Sequence, residues 1–135
     1  MKRREFLALS GATLFLPSFA HASDDLDYTP GLIKQELAAG KTLFVDFYAE
    51  WCSTCRTQRR RIEALRKENP AYDAAMTFIE VDWDTYGKTE ITRRYGIPRR
   101  STLLVLRGNE ELGRIVAGTS KSDIKALLDL GLGGS

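Results

Sequence analysis

The chain of 135 residues is long enough to bury one hydrophobic core and too short for two. Its formal net charge of +2 comes entirely from Lys2, Arg3, Arg4 and Glu5, so residues 23–135 are balanced and charge gives no ground for nucleic-acid binding. The only two cysteines, Cys52 and Cys55, stand in one CxxC pair, which is no disulfide scaffold and serves either chemistry or a metal.

The first 22 residues read as an export signal rather than as part of the domain. Lys2-Arg3-Arg4 is a basic start, Leu7 to Phe19 an apolar stretch, and Ala20-His21-Ala22 a small-x-small cleavage site. The apolar stretch is short of the ~20 residues of a spanning helix, although an uncleaved anchor is the competing reading. Arg3-Arg4-Glu5-Phe6-Leu7 resembles the core of a twin-arginine signal, with Lys2 in place of the usual small polar residue. The expected mature domain is residues 23–135, and the expected location is the periplasm.

In the mature part, 23–28 is polar and reads as a flexible leader. Thr29 and Pro30 are a cap and first turn for a helix carrying Leu32, Ile33, Leu37 and Ala38, stopped by Gly40. Thr42 to Tyr48 is apolar on both faces except for Asp46, the pattern of a central buried strand. A helix is expected from Cys52 to Asn69 with Ile62 and Leu65 facing inward, followed by a strand over 77–81 and a loose helix over 86–95. Strands over 102–106 and 112–117 pair across a Gly108-Asn109 turn, and Ser120 caps a last helix ending at Gly131. The sum is an α/β domain with a mixed central sheet flanked by helices.

Cys52 falls at the start of a helix, where the dipole and unpaired backbone N–H groups favour a thiolate, and Cys55 lies one turn on, placed to resolve it. Such a pair closes and opens a disulfide with little backbone motion. Asp46, among apolar neighbours, has its charged form disfavoured, which suits proton exchange; the competing reading is a solvated carboxylate on an edge strand.

From Leu32 to Leu130 the order of elements resembles thioredoxin. The likeness is carried by Val45-Asp46-Phe47-Tyr48-Ala49-Glu50-Trp51-Cys52-Ser53-Thr54-Cys55, by Tyr95-Gly96-Ile97 and Thr102-Leu103-Leu104, by Gly108-Asn109, and by Gly118 before the capped helix. The resemblance implies a thioredoxin-like fold, Cys52 as attacking thiol, Cys55 as buried resolving thiol, and Asp46 as the acid serving Cys55. It also implies that Trp51 shapes the docking surface and that no cofactor is needed beyond the Cys52–Cys55 disulfide. Ser101 stands where the family has a cis-proline, so the loop is either trans, strained, or shifted to make Pro98 the cis residue. Serine there would leave that side of the site more open and add a hydroxyl near Cys52.

Arg56, Arg99 and Arg100 are expected to ring the thiol, to favour its thiolate, and to suit an anionic substrate or an acidic partner. Arg59, Arg60 and Arg61 read either as part of that charge or as solvated surface. The functional expectation is a monomeric periplasmic thiol–disulfide oxidoreductase acting on disulfide-containing proteins, with Trp51, Arg99, Arg100 and Ser101 meeting the substrate. Reduction in cysteine or cytochrome maturation, fed by a membrane dithiol donor, is the favoured direction; disulfide donation is the reverse one. The alternative from another class is a dimer ligating a metal or iron–sulfur centre through Cys52 and Cys55 of two chains, since no histidine follows His21 and there is no third cysteine.

Overall fold

A computed structural model describes residues 25–133; the signal read over 1–22 lies outside them. The elements in chain order are β1 (Leu26–Asp27), α1 (Leu32–Ala38), β2 (Thr42–Tyr48), α2 (Ser53–Glu68), α3 (Ala71–Ala75) and β3 (Met76–Asp82). They continue with α4 (Trp83–Tyr86), α5 (Glu90–Arg94), β4 (Thr102–Arg107), β5 (Glu110–Val116) and α6 (Lys121–Leu132). The strands form one five-stranded sheet in the order β1-β3-β2-β4-β5. β1 and β2 run parallel to β3, while β4 runs antiparallel to β2 and β5. This is the mixed α/β sheet expected, with β2 at its centre.

Several local expectations are corrected. Residues 26–27 are a strand, not a flexible leader: Leu26 pairs with Ile79, and the Tyr28 N–H donates to the Glu80 carbonyl at 2.8 Å. Tyr28 is buried, its ring edge-on to Tyr86 at 4.9 Å, and that apolar anchorage orders the segment. The first helix starts at Leu32 rather than at Pro30, because Gly31 takes a left-handed φ of 92° that turns the chain into it. Pro70 does not merely follow α2; it starts α3, whose buried Tyr72 donates its hydroxyl to Asp129 of α6. The single helix expected over 86–95 is two short ones parted at Gly87, where a side chain would collide with Trp83. α6 runs past Gly131, because the missing side chain there lets the helix lie against Met76.

Alternation along β2 divides the core. Leu43, Val45 and Phe47 face α1 and α5, packing with Ile33, Ile91 and Ile97. Phe44 faces α2 and α6, packing with Ile62, Leu65, Ile124 and Leu128. Asp46, two residues after Phe44, shares that second face by strand periodicity and so lies under the helix that carries the cysteines. Burial of these two layers sets the register, since a one-residue slip of β2 would turn Asp46 to the other side.

Candidate active site

Cys52 is the N-cap of α2 in extended conformation, and its Sγ accepts from the Cys55 N–H at 3.1 Å. The sulfur thus occupies the place of a capping oxygen at the positive end of a 16-residue helix. Cys52 and Cys55 form a disulfide, with Cα atoms 5.2 Å apart. Each residue is only 3 % exposed, so in this oxidised state Cys55 is buried as the resemblance implies and Cys52 is buried with it. Tyr48 and Trp83 pack on the small cluster that Ala49 makes with the pair.

The facing loop closes the site. Its peptide bonds, like all others among the described residues, are trans, so neither Ser101 nor Pro98 follows a cis bond. Ser101 instead takes a left-handed φ of 65°. That conformation costs a non-glycine residue about 1–2 kcal/mol, less than the ~3 kcal/mol of a cis bond before serine. Its N–H donates to the Phe47 carbonyl at 2.7 Å, and its carbonyl accepts from the Ala117 N–H at 2.8 Å and from Gln58 Nε2 at 3.1 Å. The more open site expected from serine is not found: Ser101 is fully buried, with Oγ 3.2 Å from Cys52 Sγ and 3.0 Å from Cys55 Sγ.

On the sheet side, Asp46 is buried and its Oδ1 has no hydrogen-bond partner among the described residues. Burial pushes its carboxyl from 3.8 up to about 7; Arg59 pulls it down, while Glu80 and Asp25 push it further up. Glu80 is the β3 neighbour of Asp46 in register, and Arg59 reaches it from α2 at 3.5 Å. A cavity of about 20 Å³, roughly the size of one water, lies among Asp46, Arg59 and Glu80.

Among the described residues the arginines make their hydrogen bonds and stacking contacts with groups other than the sulfurs. Arg56 donates to the Glu50 carbonyl at 3.1 Å, and Arg99 donates to the Arg100 carbonyl at 3.0 Å. Arg100 stacks over Trp51, its guanidinium carbon 4.5 Å from the ring centroid. Trp51 is 57 % exposed and donates from Nε1 to Asp84 at 3.1 Å, so it stands as a held apolar plate beside the disulfide. Arg59 is not idle surface, since it pairs with Glu80 and covers the Tyr48 ring at 4.9 Å. Sequence reasoning missed Gln58 and Glu80 as parts of the site and left Arg59 open between the site's charge and solvated surface. Gln58 was detectable, because it shares the inner stripe of α2 with Cys55, Ile62 and Leu65 as a lone polar residue. Among the described residues no group of three or more His, Cys, Asp or Glu side chains converges, so ligation of a metal by the cysteines gains no support.

A disulfide held at a helix N-terminus on this sheet, with a titratable carboxyl under the same helix, places the molecule among the thiol–disulfide oxidoreductases. The thioredoxin family model matches residues 28–130, and the chain belongs to the thioredoxin family. Mitochondrial thioredoxin-2 of Schizosaccharomyces pombe is 32 % identical over 94 residues, which is 70 % of this chain and 63 % of that relative, less than two thirds of its length. The thioredoxin of Buchnera aphidicola is 31 % identical over 106 residues, covering 78 % of this chain and 93 % of its own. Among solved structures, Trxlp from Edwardsiella tarda superposes with a TM-score of 0.67 at 28 % identity, over 77 % of this chain and 98 % of that one.

Proposed function

We propose that the chain is an exported disulfide reductant working in the periplasm, in the maturation of cysteine or cytochrome proteins. The Cys52 thiolate attacks one sulfur of a substrate disulfide, whose S–S bond breaks to release a first thiol and leave a mixed disulfide on Cys52. Cys55 gives its proton to Asp46 and attacks the Cys52 sulfur, forming the intramolecular disulfide and expelling the second substrate sulfur as a thiolate, which is then protonated. The substrate gains two electrons and the CxxC pair loses them, to be restored by a membrane dithiol donor.

The observation that carries this reading is the buried Asp46 carboxyl at about 7, a proton acceptor of suitable strength under the cysteine helix. Trp51, with Arg100 stacked on it, suits docking of a protein substrate carrying apolar and acidic groups beside its disulfide. Export rests on the residues 1–22 pattern, with cleavage before Ser23.

Reduction of insulin disulfides with dithiothreitol as electron source tests the activity. The wild-type chain is expected to accelerate it, and Cys55→Ser to fall to the background rate while accumulating mixed disulfide. An equilibrium potential near the thioredoxin value of about −270 mV supports the reductant direction, and one near about −120 mV reverses it. An N-terminus at Ser23 in the periplasmic fraction is expected; an uncleaved chain confined to the cytoplasm overturns the location.

A further inference from the structure

We propose that Ser101 takes part in the exchange chemistry, its hydroxyl donating to whichever cysteine sulfur carries negative charge, and that Gln58 is the positioning residue that aims it. The inference rests on the reading of the CxxC pair as a reversible dithiol. Ser101 Oγ lies 3.2 Å from Cys52 Sγ and 3.0 Å from Cys55 Sγ, and these sulfurs are its only partners among the described residues. A hydroxyl has one proton, which turns about the Cβ–Oγ bond toward the stronger acceptor. In the disulfide both sulfurs are weak acceptors. In the reduced pair the Cys52 thiolate is a strong one, and during resolution the Cys55 thiolate takes its turn. The bond is therefore stronger in the reduced state than in the oxidised one, and only that difference changes the equilibrium. No electron passes through the hydroxyl, and the bonds made and broken remain S–S bonds.

The aim of the hydroxyl depends on a fixed backbone. Ser101 is held by Phe47 and Ala117 through main-chain bonds, and the turn before it is closed by Thr102 Oγ1 donating to the Arg99 carbonyl at 2.7 Å. Gln58, fully buried, spends both amide hydrogens on two loop carbonyls, Ser101 at 3.1 Å and Gly118 at 2.9 Å. The amide cannot be flipped, since that would set Oε1 against two carbonyl oxygens. Its Oε1 is left without a partner among the described residues, a cost that an apolar side chain on this stripe would avoid. The polar side chain thus serves the loop rather than the core.

The test is the equilibrium of the purified full chain with glutathione, together with the ultraviolet thiolate absorbance of the reduced form against pH, for wild type, Ser101→Ala, Ser101→Gly and Gln58→Leu. Loss of the hydroxyl is expected to favour the oxidised form about tenfold, lowering the potential by about 30 mV, and to move the thiolate midpoint up by about one pH unit. Glycine accepts a φ of 65° without strain, so Ser101→Gly carries the test even where Ser101→Ala folds poorly. Equal shifts in both identify the hydroxyl as the cause. A wild-type potential in a folded Ser101→Gly chain overturns the proposal, as does a shift confined to Ser101→Ala. Gln58→Leu is expected to move the potential in the same direction by less; no movement removes Gln58 from the argument. A wild-type pair that does not titrate reversibly overturns the function itself, a result distinct from either.

Discussion

The sheet side and the loop side of the site are two polar walls built on different principles. Toward the sheet stand Asp46, Arg59 and Glu80, three ionisable groups in which burial sets the charge state of the first. Toward the loop stand Ser101 and Gln58, neutral groups with hydrogen bonds to two backbone carbonyls and both sulfurs. The first wall responds to pH and exchanges protons with its surroundings. The second has nothing to titrate and acts by geometry alone. In the proposed exchange the sheet side would take the proton of Cys55 and the loop side would hold a hydroxyl at the sulfurs.

The sharpest way to break the loop wall is Ser101→Pro. Proline cannot adopt a φ of 65° and removes the N–H that donates to Phe47. A loss of about 3 kcal/mol or more in unfolding free energy is expected from urea denaturation. Wild-type stability in that variant would mean the loop rebuilds freely, and the fixed geometry assigned to this wall would fail.

Asp46→Asn tests the sheet wall, and its signature is a pH dependence. The folded carboxyl binds its proton more tightly than the unfolded one, at about 7 against 3.8. Its contribution is therefore harmless below about pH 4, is lost progressively as pH rises toward 7, and levels off above. Relative to Asp46→Asn, the wild type is expected to lose on the order of 2–3 kcal/mol between about pH 5 and about pH 8. The variant should be the more stable protein at the higher pH and the slower reductant. Parallel stability curves for the two chains would show that Asp46 is not buried as an acid.

The two walls also differ in how far the sequence revealed them. Asp46 was legible because it is the one carboxylate in an otherwise apolar strand, which favours a buried acid over the solvated edge-strand reading. The cysteines were legible by spacing and by the helix that follows. The place of Ser101 in the site was legible too, but its backbone was not. A left-handed φ is decided by Phe47, Ala117 and Gln58, which come from three other parts of the chain. The partners of the arginines were hidden for a similar reason. Arg56 and Arg99 donate to nearby carbonyls and Arg100 stacks on the Trp51 ring, contacts that the spacing of the arginines does not specify. Short elements such as β1 and α3 were hidden because burial of Tyr28 and Tyr72, rather than local propensity, orders them.

The smallest expected effect gives the finest separation of the walls. Glu80 raises the Asp46 pKa and Arg59 lowers it, and the two also pair with each other. Glu80→Gln removes a like charge and frees Arg59 to serve Asp46 alone, so the pH at which stability levels off should fall. Arg59→Gln leaves Glu80 facing Asp46 unopposed, so that pH should rise. Both positions are partly exposed, which limits each change to a fraction of the Asp46→Asn effect. Stability titrations of the two variants read the direction, and movement the same way in both would refute the electrostatic account. Neither substitution touches Ser101, so the contribution of its hydroxyl to the glutathione equilibrium, measured as the Ser101→Gly shift in each background, should match that in the wild type. A sheet wall tuned by charge and a loop wall set by geometry are independent only if that contribution stays fixed while the stability profile moves.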